Sequence, residues 1–124
     1  MKRVLVVEDH ADIRKLIRMT LELEDCEVSE AANGETGLRL ARETRPDVVL
    51  LDVMMPGELD GLEVCRAVRG DPSLSGTRVV MLTARGAASD RERGAEAGAS
   101  EYLVKPFSPL QLIHVIGGLA AVHA

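Results

Sequence analysis

The sequence predicts a doubly wound α/β fold built on a parallel sheet, and three observations carry that expectation. Aliphatic runs recur as Val4-Leu5-Val6-Val7, Val48-Val49-Leu50-Leu51 and Val79-Val80-Met81-Leu82. Runs without polar alternation read as strands buried on both faces, the kind found in parallel sheets. Helix-period segments separate them, as the right-handed crossovers between parallel strands require. The length, 124 residues, suits one domain, which at this size buries about 65% of its unfolded surface.

Each element can be justified in turn. Val4 to Val7 is the first strand and ends in the acids Glu8-Asp9. Ile13, Leu16, Ile17, Thr20 and Leu21 then recur at i, i+3, i+4, i+7 and i+8, with Lys15, Arg18 and Glu22 on the other side, an amphipathic helix. Cys26 to Ala32 reads as a shorter strand closed by Asn33-Gly34, a turn signal. Gly34, Gly37, Leu38 and Ala41 repeat the helical spacing, and Pro46 stops that helix. The third strand, Val48 to Leu51, delivers Asp52 at its end. Gly61, Val64, Cys65 and Val68 mark the next helix, ended by Gly70-Asp71-Pro72. Val79 to Thr83 is the fourth strand, and Glu101 to Lys105 the fifth, followed by Pro106. Ser108-Pro109 opens the last helix with a cap residue and a proline at the first helical position.

Composition removes several function classes. Lys and Arg total 15 against 20 Asp and Glu, a net charge of -5, which disfavours nucleic acid or an anionic membrane as the main partner. The apolar runs are far too short for a membrane span, and strand follows Met1 almost at once, so a soluble cytoplasmic chain without a signal peptide is expected. Cys26 and Cys65 lie far apart with no clustered His, so both are expected to be reduced packing residues.

Five strands suit the flavodoxin-like order 2-1-3-4-5, in which ligands bind beyond the carboxyl ends of the strands where the order reverses. That order brings Glu8, Asp9, Asp52, Thr83 and Lys105 to one edge. Three carboxylates packed together repel, and a small oxygen-seeking cation relieves them; Mg²⁺ fits because it takes one or two carboxylates plus phosphate oxygens. Thr83 can donate a hydrogen bond to a phosphoryl oxygen and Lys105 can set a charge beside another. Phosphoryl transfer needs chiefly positioning and charge neutralisation. With no Ser or Cys nucleophile beside a base, Asp52 itself is the expected acceptor, as an aspartyl phosphate.

With these residues in place the chain resembles a bacterial two-component response-regulator receiver domain over essentially its whole length. The matching features are Glu8-Asp9, Leu51-Asp52 with Met55-Pro56 and Asp60-Gly61 downstream, Thr83-Ala84, and Lys105-Pro106-Phe107. The resemblance implies that Asp52 takes a phosphoryl group from a phosphohistidine on a sensor histidine kinase or a histidine phosphotransfer protein. It implies Mg²⁺ held by Glu8, Asp9, Asp52 and the Met54 backbone carbonyl, phosphoryl contacts from Thr83 and Lys105, and a cis Lys105-Pro106 bond. Tyr102 resembles the aromatic switch residue that turns inward when the threonine moves. The signalling face is then the helix from about Ala87 to Gly98, whose only apolar residues are alanines, with the fifth strand and the last helix. That face would act on a downstream effector or fused output domain, in a monomer or a weak dimer.

Each residue has a plainer reading as well. Asp52 could cap the turn after its strand, Glu8-Asp9 could be a solvated loop, Thr83 a strand-end hydroxyl, Lys105 a surface lysine and Tyr102 a half-buried strand residue; their weight comes from standing together. His10 adjoins the acids and could edge their pocket, and with His114 and His123 it reads as a surface residue. A Mg²⁺-dependent phosphatase of the haloacid dehalogenase kind would need a second Asp two residues after the nucleophile, where Met54 stands. An interaction domain independent of phosphorylation is expected to lose the acceptor, an acid or the lysine, and all are present. Three departures from the family pattern stand out: an extra residue in Pro56 to Gly61, Gly117-Gly118 inside the last helix, where a bend or fraying is expected, and Met54 and Arg85 in the positions that flank the phosphate. No output domain is expected within residues 1–124.

Overall fold

The computed structural model describes residues 2–55, 57, 59–84 and 88–120. Pro56, Glu58, Arg85, Ala87 and His123, each singled out by the sequence, lie outside the described residues. Five strands, β1 (Lys2–Val7), β2 (Cys26–Ala31), β3 (Val48–Asp52), β4 (Arg78–Ala84) and β5 (Glu101–Lys105), pair in parallel in the order β2-β1-β3-β4-β5. Helices α1 (Ala11–Glu22), α2 (Gly34–Thr44), α3 (Gly61–Gly70), α4 (Ala88–Ala97) and α5 (Pro109–Ala120) connect and follow them.

The period-two alternation of strand side chains divides the apolar runs between two cores. Val4, Val6, Val48, Leu50, Val80 and Leu82 pack with Ile17 and Leu21 of α1 and with Leu112 and Ile116 of α5. Leu5, Val7, Val49, Leu51, Val79 and Met81 pack on the other side with Ala41 of α2, with Leu62, Val64, Cys65 and Val68 of α3, and with Ala97 of α4. A strand that must feed both cores has no exposed face, and so it reads as an unbroken aliphatic run. All five residues of β3 are buried, which makes Asp52 the end of the most enclosed strand.

The helix ends follow local chemistry. Asp60 caps α3 in a reciprocal box with Glu63: Glu63 N–H donates to Asp60 Oδ1 at 2.9 Å and Asp60 N–H to Glu63 Oε1 at 3.1 Å. Ser108 and Gln111 form the same kind of box at the start of α5. That helix runs through Gly117 and Gly118 to Ala120, where a bend or fraying was the expectation.

One local expectation is corrected. Asn33 is the cap of α2 and not part of a turn, while Gly34 opens the helix as its spacing predicts, and β2 ends at Ala31, one residue before the expected Ala32. Asn33 Oδ1 accepts the Thr36 N–H at 2.8 Å, the hydrogen bond of an N-cap. Gly34 is demanded by packing, because a Cβ there would meet the Leu59 carbonyl and Cβ.

α2 ends on Arg45 in the left-handed region, φ 47° and ψ 64°, a place where glycine is ordinarily favoured. Arg45→Gly is therefore expected to stabilise the fold by about 0.5–1 kcal/mol, read as a raised urea midpoint at unchanged slope.

Candidate functional site

The carboxyl ends of β1, β3, β4 and β5 set the site. Register places Val7 beside Leu51, Asp52 beside Leu82, Thr83 beside Val104 and Ala84 beside Lys105, so the chemistry-bearing side chains reach one edge together. Glu8 follows β1 and is held by its N–H bond to the Ala31 carbonyl. Glu8, Asp52 and Thr83 are buried, at 0%, 4% and 2% exposure, while Asp9 is half-buried.

Buried carboxylates need partners. Lys105 supplies the positive charge: its Nζ lies 2.6 Å from Glu8 Oε1 and 3.3 Å from Asp52 Oδ1. The Lys105-Pro106 peptide bond is cis. Met54 N–H donates to Asp52 Oδ1 at 3.2 Å, and the Met54 side chain is exposed. Asp52 Oδ2 is buried with no hydrogen-bond partner. Tyr102 lies on β5 opposite Met81, half-buried against the core on the α2–α4 side.

The electrostatics divide two neighbouring acids. Burial pushes Asp52 up, the hydrogen bond and charge of Glu8 push it further, and Lys105 opposes, leaving its carboxyl at about 7. Burial also works to raise Glu8, but its bond to Lys105, helped by Asp52 and His10, outweighs that and brings it down to about 2. The two titrate as a pair, and the extra proton sits chiefly on Asp52 because the ammonium stands closer to Glu8. For Lys105 the desolvation that lowers its pKa is more than offset by Glu8 and Asp52, so it stays charged.

The donor set fits a divalent cation. One ligand atom from each of Glu8, Asp9, Asp52 and His10 lies within 4.8 Å of the others. The unpartnered Asp52 oxygen and the raised Asp52 pKa are what a carboxylate cluster shows when the charge that balances it is only partly supplied by one lysine.

Sequence reasoning placed Glu8, Asp9, Asp52, Thr83 and Lys105 at this edge, and the structure brings them there. It underrated His10. The ring is exposed as expected, yet its Nδ1 lies 3.0 Å from Glu8 Oε2 and 3.4 Å from Asp9 Oδ1. Its position directly after two acids was the available signal.

Fold and site together define the class. A family model for the response regulator receiver domain matches residues 4–117, and the chain belongs to that family. It is 46% identical over 111 residues to the transcriptional regulatory protein ResD of Bacillus subtilis, covering 90% of this chain and 45% of ResD. The chain thus spans less than half the length of that relative. Among solved structures it is similar to the chemotaxis response regulator CheY4 of Vibrio cholerae, with a TM-score of 0.90 and 35% identity over 96% of this chain and 98% of that one. It is also similar to the receiver domain of the sensor histidine kinase PA1611 of Pseudomonas aeruginosa, with a TM-score of 0.88 and 29% identity over 97% of this chain and 98% of that one. In that structure of PA1611 a magnesium ion is coordinated in the active site cleft. Among the described residues, no helix is long and apolar enough to cross a membrane.

Proposed function

We propose that residues 1–124 form a receiver domain that works as a phosphoacceptor switch in a two-component phosphorelay, with Asp52 accepting the phosphoryl group from a phosphohistidine of a sensor kinase or phosphotransfer protein. The observation that carries this reading is the buried Asp52, with Lys105 Nζ 3.3 Å from one oxygen and the other oxygen unpartnered. Glu8, Asp9, Asp52 and the Met54 carbonyl would hold Mg²⁺, which when bound neutralises carboxylates and phosphoryl oxygens together. Asp52 attacks phosphorus through a carboxylate oxygen, the bond from phosphorus to the donor nitrogen breaks, and the imidazole leaves. Lys105 sets its charge beside the transferred oxygens, and the Thr83 hydroxyl donates to one of them. The added charge of about -1.5 to -2 then draws Thr83 inward, and Tyr102 follows. The altered surface of α4, β5 and α5 is read by an effector or an output domain. Water attack on the aspartyl phosphate returns the switch, so the domain catalyses only its own phosphorylation and dephosphorylation.

Intact mass after incubation with acetyl phosphate tests the reading. One phosphoryl group is expected in the presence of Mg²⁺ and none in chelator. Gain of mass without Mg²⁺, or none from either acetyl phosphate or a phosphorylated kinase, would count against it.

Metal binding should also depend on pH. The Asp52 proton must leave before a cation is held, so Mg²⁺ affinity is expected to fall as pH drops through about 7, approaching about tenfold per pH unit below it. Calorimetric titrations at several pH values check this, and a flat profile would contradict it.

A further inference from the structure

The site carries a nitrogen donor that an oxygen-seeking ion does not need. His10 is the N-cap residue of α1, where Ser, Thr, Asp or Asn would ordinarily bond the first turn, and it makes no such side-chain bond. Its backbone N–H donates to Glu8 Oε2 at 3.2 Å, and the ring Nδ1 lies 3.0 Å from the same oxygen. The ring is thus turned away from the helix end and toward the acids. The Glu8 side chain it touches is fully buried, and the nearby Asp52 Oδ2 is buried and unpartnered, so the cluster is more than a set of solvated acids.

We propose that His10 is a fourth ligand of this site, through Nδ1, and that it lets the site hold imidazole-accepting divalent ions of the zinc kind alongside the carboxylates of Glu8, Asp9 and Asp52. Imidazole nitrogen suits Zn²⁺ and its neighbours, whereas Mg²⁺ prefers oxygen and retains water. The distances agree: one donor atom from each residue falls within 4.8 Å of the rest, a span that one cation can bridge. On binding, Nδ1 offers its lone pair in the neutral tautomer whose proton sits on Nε2, and the exposed ring lets Nε2 donate to water. An ion held this way uses Asp52 and therefore competes with Mg²⁺ for the phosphoacceptor. The rival account makes the ring an ion-pair partner of Glu8 and nothing more. It predicts the opposite sign, because removing the ring would free a carboxylate and strengthen the binding of every cation.

The inference rests on the reading of the acid cluster as a metal site, and the experiment separates the two. Zn²⁺ and Mg²⁺ are titrated separately into the parent, His10→Ala and Asp52→Asn proteins, and the His10 ring nitrogens are followed by long-range ¹H–¹⁵N NMR. His10→Ala is expected to fold, since no capping bond is lost. It should lose about tenfold or more in Zn²⁺ affinity, the scale seen when even an outer-shell partner of a metal ligand is removed, and keep its Mg²⁺ affinity within about twofold. The Nδ1 resonance should move with Zn²⁺, stay in place with Mg²⁺, and stay in place with Zn²⁺ in Asp52→Asn. Zn²⁺ affinity unchanged or raised in His10→Ala, or a ring untouched at saturating Zn²⁺, would overturn the inference while leaving the Mg²⁺ reading intact. Failure of both ions to bind the parent would overturn both.

Discussion

Asp52→Asn is expected to stabilise the metal-free fold at pH 8 by on the order of 2–4 kcal/mol while removing the proposed phosphoacceptor. Burial and the Glu8 carboxylate raise the Asp52 pKa from 3.8 to about 7, so the folded protein holds that proton more tightly than the unfolded chain does. The sign follows directly. Below pH 3.8 Asp52 is neutral in both states and costs nothing; between that value and about 7 the cost of ionising it in the fold grows; above about 7 the full cost is present. Asparagine keeps the shape, carries no charge, and leaves the bond between Lys105 and Glu8 in place. Urea unfolding in chelator at pH 8 and at pH 4 should show a large gap that closes at the lower value. Saturating Mg²⁺ should narrow the gap at pH 8, because it binds the folded parent and stabilises it by mass action. A variant no more stable than the parent at pH 8 would mean that Asp52 is not the strained member of the cluster.

Gly61→Ala is expected to cost about 3 kcal/mol or more and to weaken Mg²⁺ binding with it. Gly61 opens α3 and its N–H donates to the Val53 carbonyl, which holds the helix start against the end of β3. A Cβ there would stand 2.8 Å from the Asp52 carbonyl carbon and from Val53 Cα, and closer still to the Asp52 carbonyl oxygen. All of these are backbone atoms of the segment that presents Asp52, so no rotamer change relieves the clash. Either α3 moves out or the end of β3 moves, and both disturb Asp52. Gly70→Ala is the matched control: nothing lies within 4 Å of its Cβ, and removing a helical glycine should stabilise by about 0.5–1 kcal/mol. Equal, small effects from the two substitutions would show that the approach of α3 to Asp52 is not tight.

Much of this was legible in the residues. The aliphatic runs announced doubly buried strands because β3 and its neighbours feed two cores; the crossovers implied parallel pairing, and the order 2-1-3-4-5 was the one of two common doubly wound orders that suits five strands. The position of Asp52 was legible for the same reason: a carboxylate at the end of a fully buried run has little freedom in where it emerges. Charge sharing within the cluster was not. Both Glu8 and Asp52 lie within reach of Lys105, and which is held closer depends on side-chain reach in three dimensions, 2.6 Å against 3.3 Å. His10 was legible as a neighbour of the acids that could edge their pocket, but the contact of its exposed ring with Glu8 depends on a side-chain rotamer that residue order does not give. Asn33-Gly34 misled because asparagine and glycine are favoured in turns and equally at helix starts, and only the close approach of Leu59 separates the two uses.

The central claim is that Asp52 itself carries the phosphoryl group. Reduction with borohydride after incubation with acetyl phosphate and Mg²⁺ tests it most directly, because an acyl phosphate on aspartate is reduced to homoserine, which peptide mass spectrometry can place. Homoserine at position 52 alone, absent when Mg²⁺ is withheld, is the expected result. A gain of phosphoryl mass with position 52 unreduced, or with the reduced side chain at Glu8 or Asp9, would contradict it.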